Sequence, residues 1–154
     1  VLADGMKQQA NAQTLYNRVV SMTAPDMADE TVDSQAATSA LSAIQSYRGF
    51  ALLFSGDREG ALAWADSLKR DYRDTDGHLS FVLYAQAAAD QSVAQSEKST
   101  LTELALKSLE RALKLGYGNL YEITVADTGR VSLAPLRDDS HFNALVARYS
   151  HLFE

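Results

Sequence analysis

The chain contains no cysteine. Disulfide scaffolds, thiolate zinc sites and thiol nucleophiles are therefore excluded. The same absence suits cytoplasm and periplasm alike, with the cytoplasm the favoured expectation. Proline is nearly as scarce, with 2 in 154 residues, so long stretches keep every backbone donor a helix needs. No run of about 18 apolar residues occurs, so no segment reads as a membrane-spanning helix. Cations are in deficit: 14 Lys and Arg stand against 20 Asp and Glu, for a net charge of -6. A nucleic-acid surface needs clustered Lys and Arg, and this balance argues against one. Solubility is the plain reading of the acidity, and a patch tuned for a basic partner is the alternative. The start Val1-Leu2-Ala3-Asp4 has neither an initiator Met nor a basic-then-apolar leader. It sets the expectation of a piece cut from a longer protein.

What is present is an ordinary globular composition, 46% hydrophobic and 22% charged. At this length it suits one domain with a real core. Apolar residues Met6, Ala10, Leu15, Val19 and Met22 have helical spacing across the first run. The stretch "TAPDMADETVD" then reads as a loop, with Asp33 or Ser34 as a cap for the next helix. From Ala37 the pattern sharpens: Ala37, Ala40, Leu41, Ile44, Tyr47, Ala51 and Leu52 form one face of a helix ending near Phe54. Gly56 can take the left-handed conformation that closes it, and Asp57 can cap its successor. Ala61, Trp64, Ala65, Leu68 and Tyr72 form that successor's stripe. So short a turn implies an antiparallel hairpin.

A second hairpin follows. "RDTDGH" reads as a break, and Leu79 to Ala89 as a helix presenting Leu79, Val82, Leu83, Gln86 and Ala87. "DQSVAQSEKS" reads as a loop. Thr100 and Glu103 have capping-box spacing for the next helix, which buries Leu101, Leu104, Ala105, Leu109, Ala112 and Leu113. Glu103 with Lys107, and Glu110 with Lys114, lie one turn apart on its wet side. Gly116 ends it. Residues 119–133 are compatible with a β-hairpin about Asp127-Thr128-Gly129, or with helix or irregular loop; the helical surroundings favour the latter. Pro135 can open a single helical turn. Asp139 can cap a last helix carrying Phe142, Leu145, Val146, Tyr149 and Phe153.

No chemistry-bearing constellation emerges. His78, His141 and His151 are the only histidines, and none has metal-ligand spacing, so surface or helix-end roles are expected. Asp74, Asp76 and Gly77 have the spacing of the middle of a calcium loop. The first ligand position would then be Tyr72 and the closing one Leu83, so the register fails and the stretch reads as a turn. There is no phosphate loop and no nucleophile elbow. Asp138-Asp139 reads as a helix start, not as a general acid and base. The expectation is a protein that is not an enzyme and carries no cofactor. Trp64 reads as core, with a place in a peptide pocket as the alternative.

Two helical hairpins in succession prompt a search for repeats. With Ala61 laid over Ala105, "GALAWADSLKRDY" matches "LALKSLERALKLGY" in its small and apolar positions. In "YRGFALLFSGDREGA", Gly49, Gly56 and Ala61 fall at successive intervals of 7 and 5 residues. These residues resemble the tetratricopeptide-repeat signature, and Ala105 and Ala112 match the two alanines of its second helix. The proline that often ends such a repeat is absent, with Tyr72 and Tyr117 in that vicinity. The interval from Ala61 to Ala105 is 44 residues, against about 34 for a regular repeat. The excess falls in the polar stretch 91–100, where added loop costs little. "LERALKLGY" followed by "LAPLRDDSHFNALV" resembles the close of bacterial tetratricopeptide arrays in multidomain proteins, some behind Ser/Thr kinases or winged-helix regulators.

The resemblance implies an all-α fold: antiparallel hairpins in a short right-handed array over 1–154. Residues 1–35 would be a degenerate N-terminal helix and loop, with Ala12, Tyr16 and Val19 on a second helix of a degenerate first repeat. Residues 36–117 would form two hairpins, and 118–154 a terminal cap, which a solenoid needs to cover its last repeat. It also implies a protein-interaction module that grips a peptide or neighbouring domain in a helical groove. Phe50 and Phe54, one turn apart on a groove-lining helix, with Tyr47 and Tyr84, are the candidate binding residues; packing against a neighbouring helix is the alternative for the two phenylalanines. The positions where some members clamp a carboxylate hold Ser46, Phe50, Ser80 and Tyr84, so no such clamp is expected. The competing readings are a regulatory appendage that packs on an upstream kinase or DNA-binding domain, and a small-ligand sensor.

Overall fold

Helix follows helix along the chain, and no strand occurs among the described residues. The structure, a computed structural model, describes residues 2–22, 47–68, 74–119, 123 and 133–153. The protein is all-α. In order it comprises α1 (Leu2–Met22), α2 (Arg48–Ser55), α3 (Arg58–Ser67), α4 (Asp74–Ala89), α5 (Gln95–Lys114), α6 (Ala134–Arg137) and α7 (Ser140–Arg148). A 3-10 turn, Ser150–Leu152, follows. The expected loop at 23–33, the helical stripe through Ile44 and nearly all of 119–133 lie outside the described residues. Packing divides the chain into two compact units, Val1–Trp64 and Ala65–Glu154.

In the first unit α1 runs antiparallel to α2. Gln13 Nε2 donates to Ser55 O at 2.7 Å, at the end of α2. Arg48 Nη1, at its start, donates to Val20 O at 2.8 Å. Ala12, Tyr16, Val19 and Val20 are half-buried, whereas Ala10 is exposed and Leu15 is 63% exposed. The inward face of α1 is therefore the Ala12–Tyr16–Val19 face and not one through Ala10 and Leu15. The partner helix selects which of the available apolar rows is covered.

The α2–α3 junction forms as its residues dictate. Gly56 closes α2 at φ 95°, and its N–H and that of Asp57 return to Leu53 O and Leu52 O. A left-handed residue lets two N–H groups reach carbonyls the helix leaves unpaired. Asp57 Oδ1 then accepts from Gly60 N–H at 2.8 Å, capping α3. Ala61 is 1% exposed.

The second unit is built on α4 and α5. They run antiparallel and approach closely where Gly77, early in α4, meets Ala112, late in α5: a methyl on Gly77 would lie 2.9 Å from Ala112 Cβ. This corrects two sequence expectations. Within "RDTDGH", Asp74 to His78 are helix and not a break, because α4 begins at Asp74 and not Leu79. Glycine serves here for close approach, and acidic residues suit a helix's first turn. Nor do Thr100 and Glu103 form a capping box, since α5 starts at Gln95 behind Ala94, which makes no side-chain cap bond. Thr100 Oγ1 donates within the helix to Ser96 O. The polar residues before Leu101 extend the helix into solvent, leaving a far shorter connection than the sequence suggests.

α4 is covered on nearly every side. Ser80, Phe81, Val82, Leu83, Tyr84, Ala85 and Ala87 are all buried, and Ser80 Oγ donates to Ala65 O at 3.1 Å. α5 is amphipathic, with Leu101, Ala105, Leu109, Ala112 and Leu113 buried. Leu104 is half-buried, and Leu106 joins the core instead. On the wet face Lys107 pairs with Glu103 at 2.7 Å and Lys114 with Glu110 at 3.0 Å, as the spacing predicts. Gly116 ends α5's last turn at φ 95°, with its N–H on Leu113 O and that of Tyr117 on Ala112 O.

The tail packs on this hairpin. Pro135 sits in the first turn of α6. Asp139 caps α7 by accepting from the backbone N–H of His141 and Phe142. Leu136, Phe142 and Leu145 are buried, and α7 packs on α5. Arg148 reaches Glu110 at 3.4 Å from the solvent side. Ile123, an isolated described residue in 120–132, is helical and fully buried.

Candidate binding surface

The candidate residues separate into two groups. Tyr47, Phe50 and Phe54 lie together in the first unit; Tyr84 lies on α4 in the second. Helical spacing explains how the first group is arranged. In "RGFALLFS" one face of α2 buries Gly49, Ala51 and Leu52. The bulkier side chains of the helix fall at Phe50, Leu53 and Phe54. These are half-buried.

Phe50 and Phe54 are one turn apart, so their rings meet along the helix axis. The centroids are 6.4 Å apart with 27° between planes. Tyr16 of α1 extends the row, its ring 5.5 Å from Phe54 and tilted by 40°. Ring pairs at such separations are mutually attractive and hold one another's orientation. Tyr47, the N-cap position of α2, is 63% exposed. Leu15 on α1 is exposed to the same degree, 63%. The unit thus presents partly exposed aromatic rings next to exposed apolar side chains, on a backbone tied by the Gln13–Ser55 and Arg48–Val20 bonds.

Tyr84 does something else. It is 2% exposed, and its hydroxyl donates to Asp66 Oδ1 at 3.3 Å. Burial satisfies the ring and Asp66 satisfies the polar tip, so Tyr84 joins the end of α3 to α4 instead of offering a free ring. Trp64, near the end of α3, is half-buried. Tyr16 is the member of the aromatic row that was not singled out for binding from sequence. Its signal is the Ala12–Tyr16–Val19 spacing, which suggests a repeat helix without saying what that helix meets.

Among the described residues, no three His, Cys, Asp or Glu side chains group so as to hold a metal ion. His141 and His151 are exposed. His78, in the first turns of α4, lies parallel to Tyr117 with centroids 4.4 Å apart and planes 11° apart. Glu103 is held below the ordinary carboxylate range, first by its hydrogen bond to Lys107 and then by that residue's charge. It is a helix-surface pair remote in role from the aromatic row. No described helix is long and apolar enough to cross a membrane.

No family model matches the chain, and neither a curated protein nor a solved structure matches it.

Proposed function

We propose that the chain is a protein-interaction module: a short tetratricopeptide-like array that holds a peptide, or a neighbouring domain of its own polypeptide, on the aromatic side of α2, without catalysis. The observation that carries this reading is the row of three half-buried rings Tyr16–Phe54–Phe50. Aromatic rings already held by their neighbours lose little freedom when a partner covers them, so their apolar area converts efficiently into affinity. Helix-lined apolar surfaces commonly take an extended or helical peptide with a few bulky anchors.

Several local features support the repeat-like arrangement. Antiparallel neighbours meet through small residues, Gly77 against Ala112. Ala61, Ala65, Ala105 and Ala112 are each 1% exposed or less. A glycine at positive φ ends both α2 and the last turn after α5. The Asp139-capped helix α7 packs on α5 and sets Phe142 against Phe81 of α4, as a capping element of an array would.

The test is selection of a displayed random-peptide library on the purified chain, followed by amide chemical-shift mapping of the enriched peptides. The expected result is a set of peptides with bulky apolar anchors that shift the amides of residues 47–55. Phe50→Ala and Phe54→Ala should each weaken them about tenfold or more, as loss of a central aromatic anchor does. Enriched peptides that leave α2 unperturbed, or no enrichment at all, would overturn the assignment.

A further inference from the structure

We draw no further inference here: the strongest candidate, the half-buried His78 ring stacked on Tyr117 between the start of α4 and the turn after α5, carries nothing because burial of its Nε2 opposes a charged imidazole while the tyrosine face favours one, so the geometry fixes no direction for a pH response.

Discussion

The ring of Phe142 lies 6.3 Å from that of Phe81 and within 14° of parallel, with Phe81 0% and Phe142 2% exposed. A residue of the tail is thus seated against the most enclosed helix of its unit, α4. Truncating a buried phenylalanine costs about 3–5 kcal/mol, a large part of a total stability of about 5–15 kcal/mol. Phe142→Ala should lower the urea midpoint strongly. Asp138→Ala, at an exposed position, should stay within about 0.5 kcal/mol of the parent. Equal midpoints for Phe142→Ala and the parent would show that the tail does not seal the hairpin.

Gly77 and Gly56 are both needed, for opposite reasons, and substitutions separate them. At Gly77 the obstacle is Ala112, whose Cβ would be 2.9 Å from an added methyl. At Gly56 nothing lies within 4 Å, and the obstacle is φ 95°. Gly77→Ala should destabilise by about 1–3 kcal/mol through overpacking, with partial recovery when Ala112→Gly is added. Gly56→Ala should cost about 1–2 kcal/mol from the left-handed backbone alone. Asparagine tolerates that conformation but is bulkier, so Gly56→Asn should be milder than Gly56→Ala, and Gly77→Asn harsher than Gly77→Ala. Denaturation of the four variants reads out the crossing, and a common order at both sites would contradict these roles.

Asp139 holds two backbone N–H groups at the start of α7. Asp139→Ala should cost about 1 kcal/mol, and Asp139→Ser much less, because serine can accept the same bonds. Amide exchange provides a local readout. The His141 and Phe142 protons should exchange faster in the alanine variant while those of α4 keep their protection relative to global stability.

The Glu103–Lys107 pair makes a pH prediction whose sign follows from the lowered pKa of Glu103. A depressed carboxyl contributes stability above its unfolded value and loses it as pH falls through the folded value. The thermal midpoint of the parent minus that of Glu103→Gln should be small and positive at neutral pH. It should shrink as the pH falls below the ordinary glutamate value of about 4.3 and vanish once the lowered folded value is passed. The pair is exposed and subject to screening, so about 1 M salt should also abolish the difference. A difference that grows on acidification would mean that Glu103 acts through something other than Lys107.

The sequence by itself determined whatever depends on neighbours along the chain. Scarce proline and apolar spacings of three and four residues dictate helices. Gly56, Asp57, Gly116, Pro135 and Asp139 mark helix ends through backbone rules that hold in any context, and each acts as its residue type requires. The i,i+4 pairs of α5 belong to the same class. Tertiary structure decided the rest. Asp76-Gly77 has the local chemistry of a turn, yet it lies inside α4, because Ala112 offers a place where a glycine lets two helices touch. Thr100 has the spacing of a cap, but Gln95 to Thr100 are ordinary helix residues that nothing stops from joining α5. Of the aromatic residues expected to bind, Phe50 and Phe54 remain partly open beside Tyr16, while Tyr84 is enclosed and tied to Asp66. Helical periodicity tells which residues share a face; which face is covered depends on a partner from elsewhere in the chain.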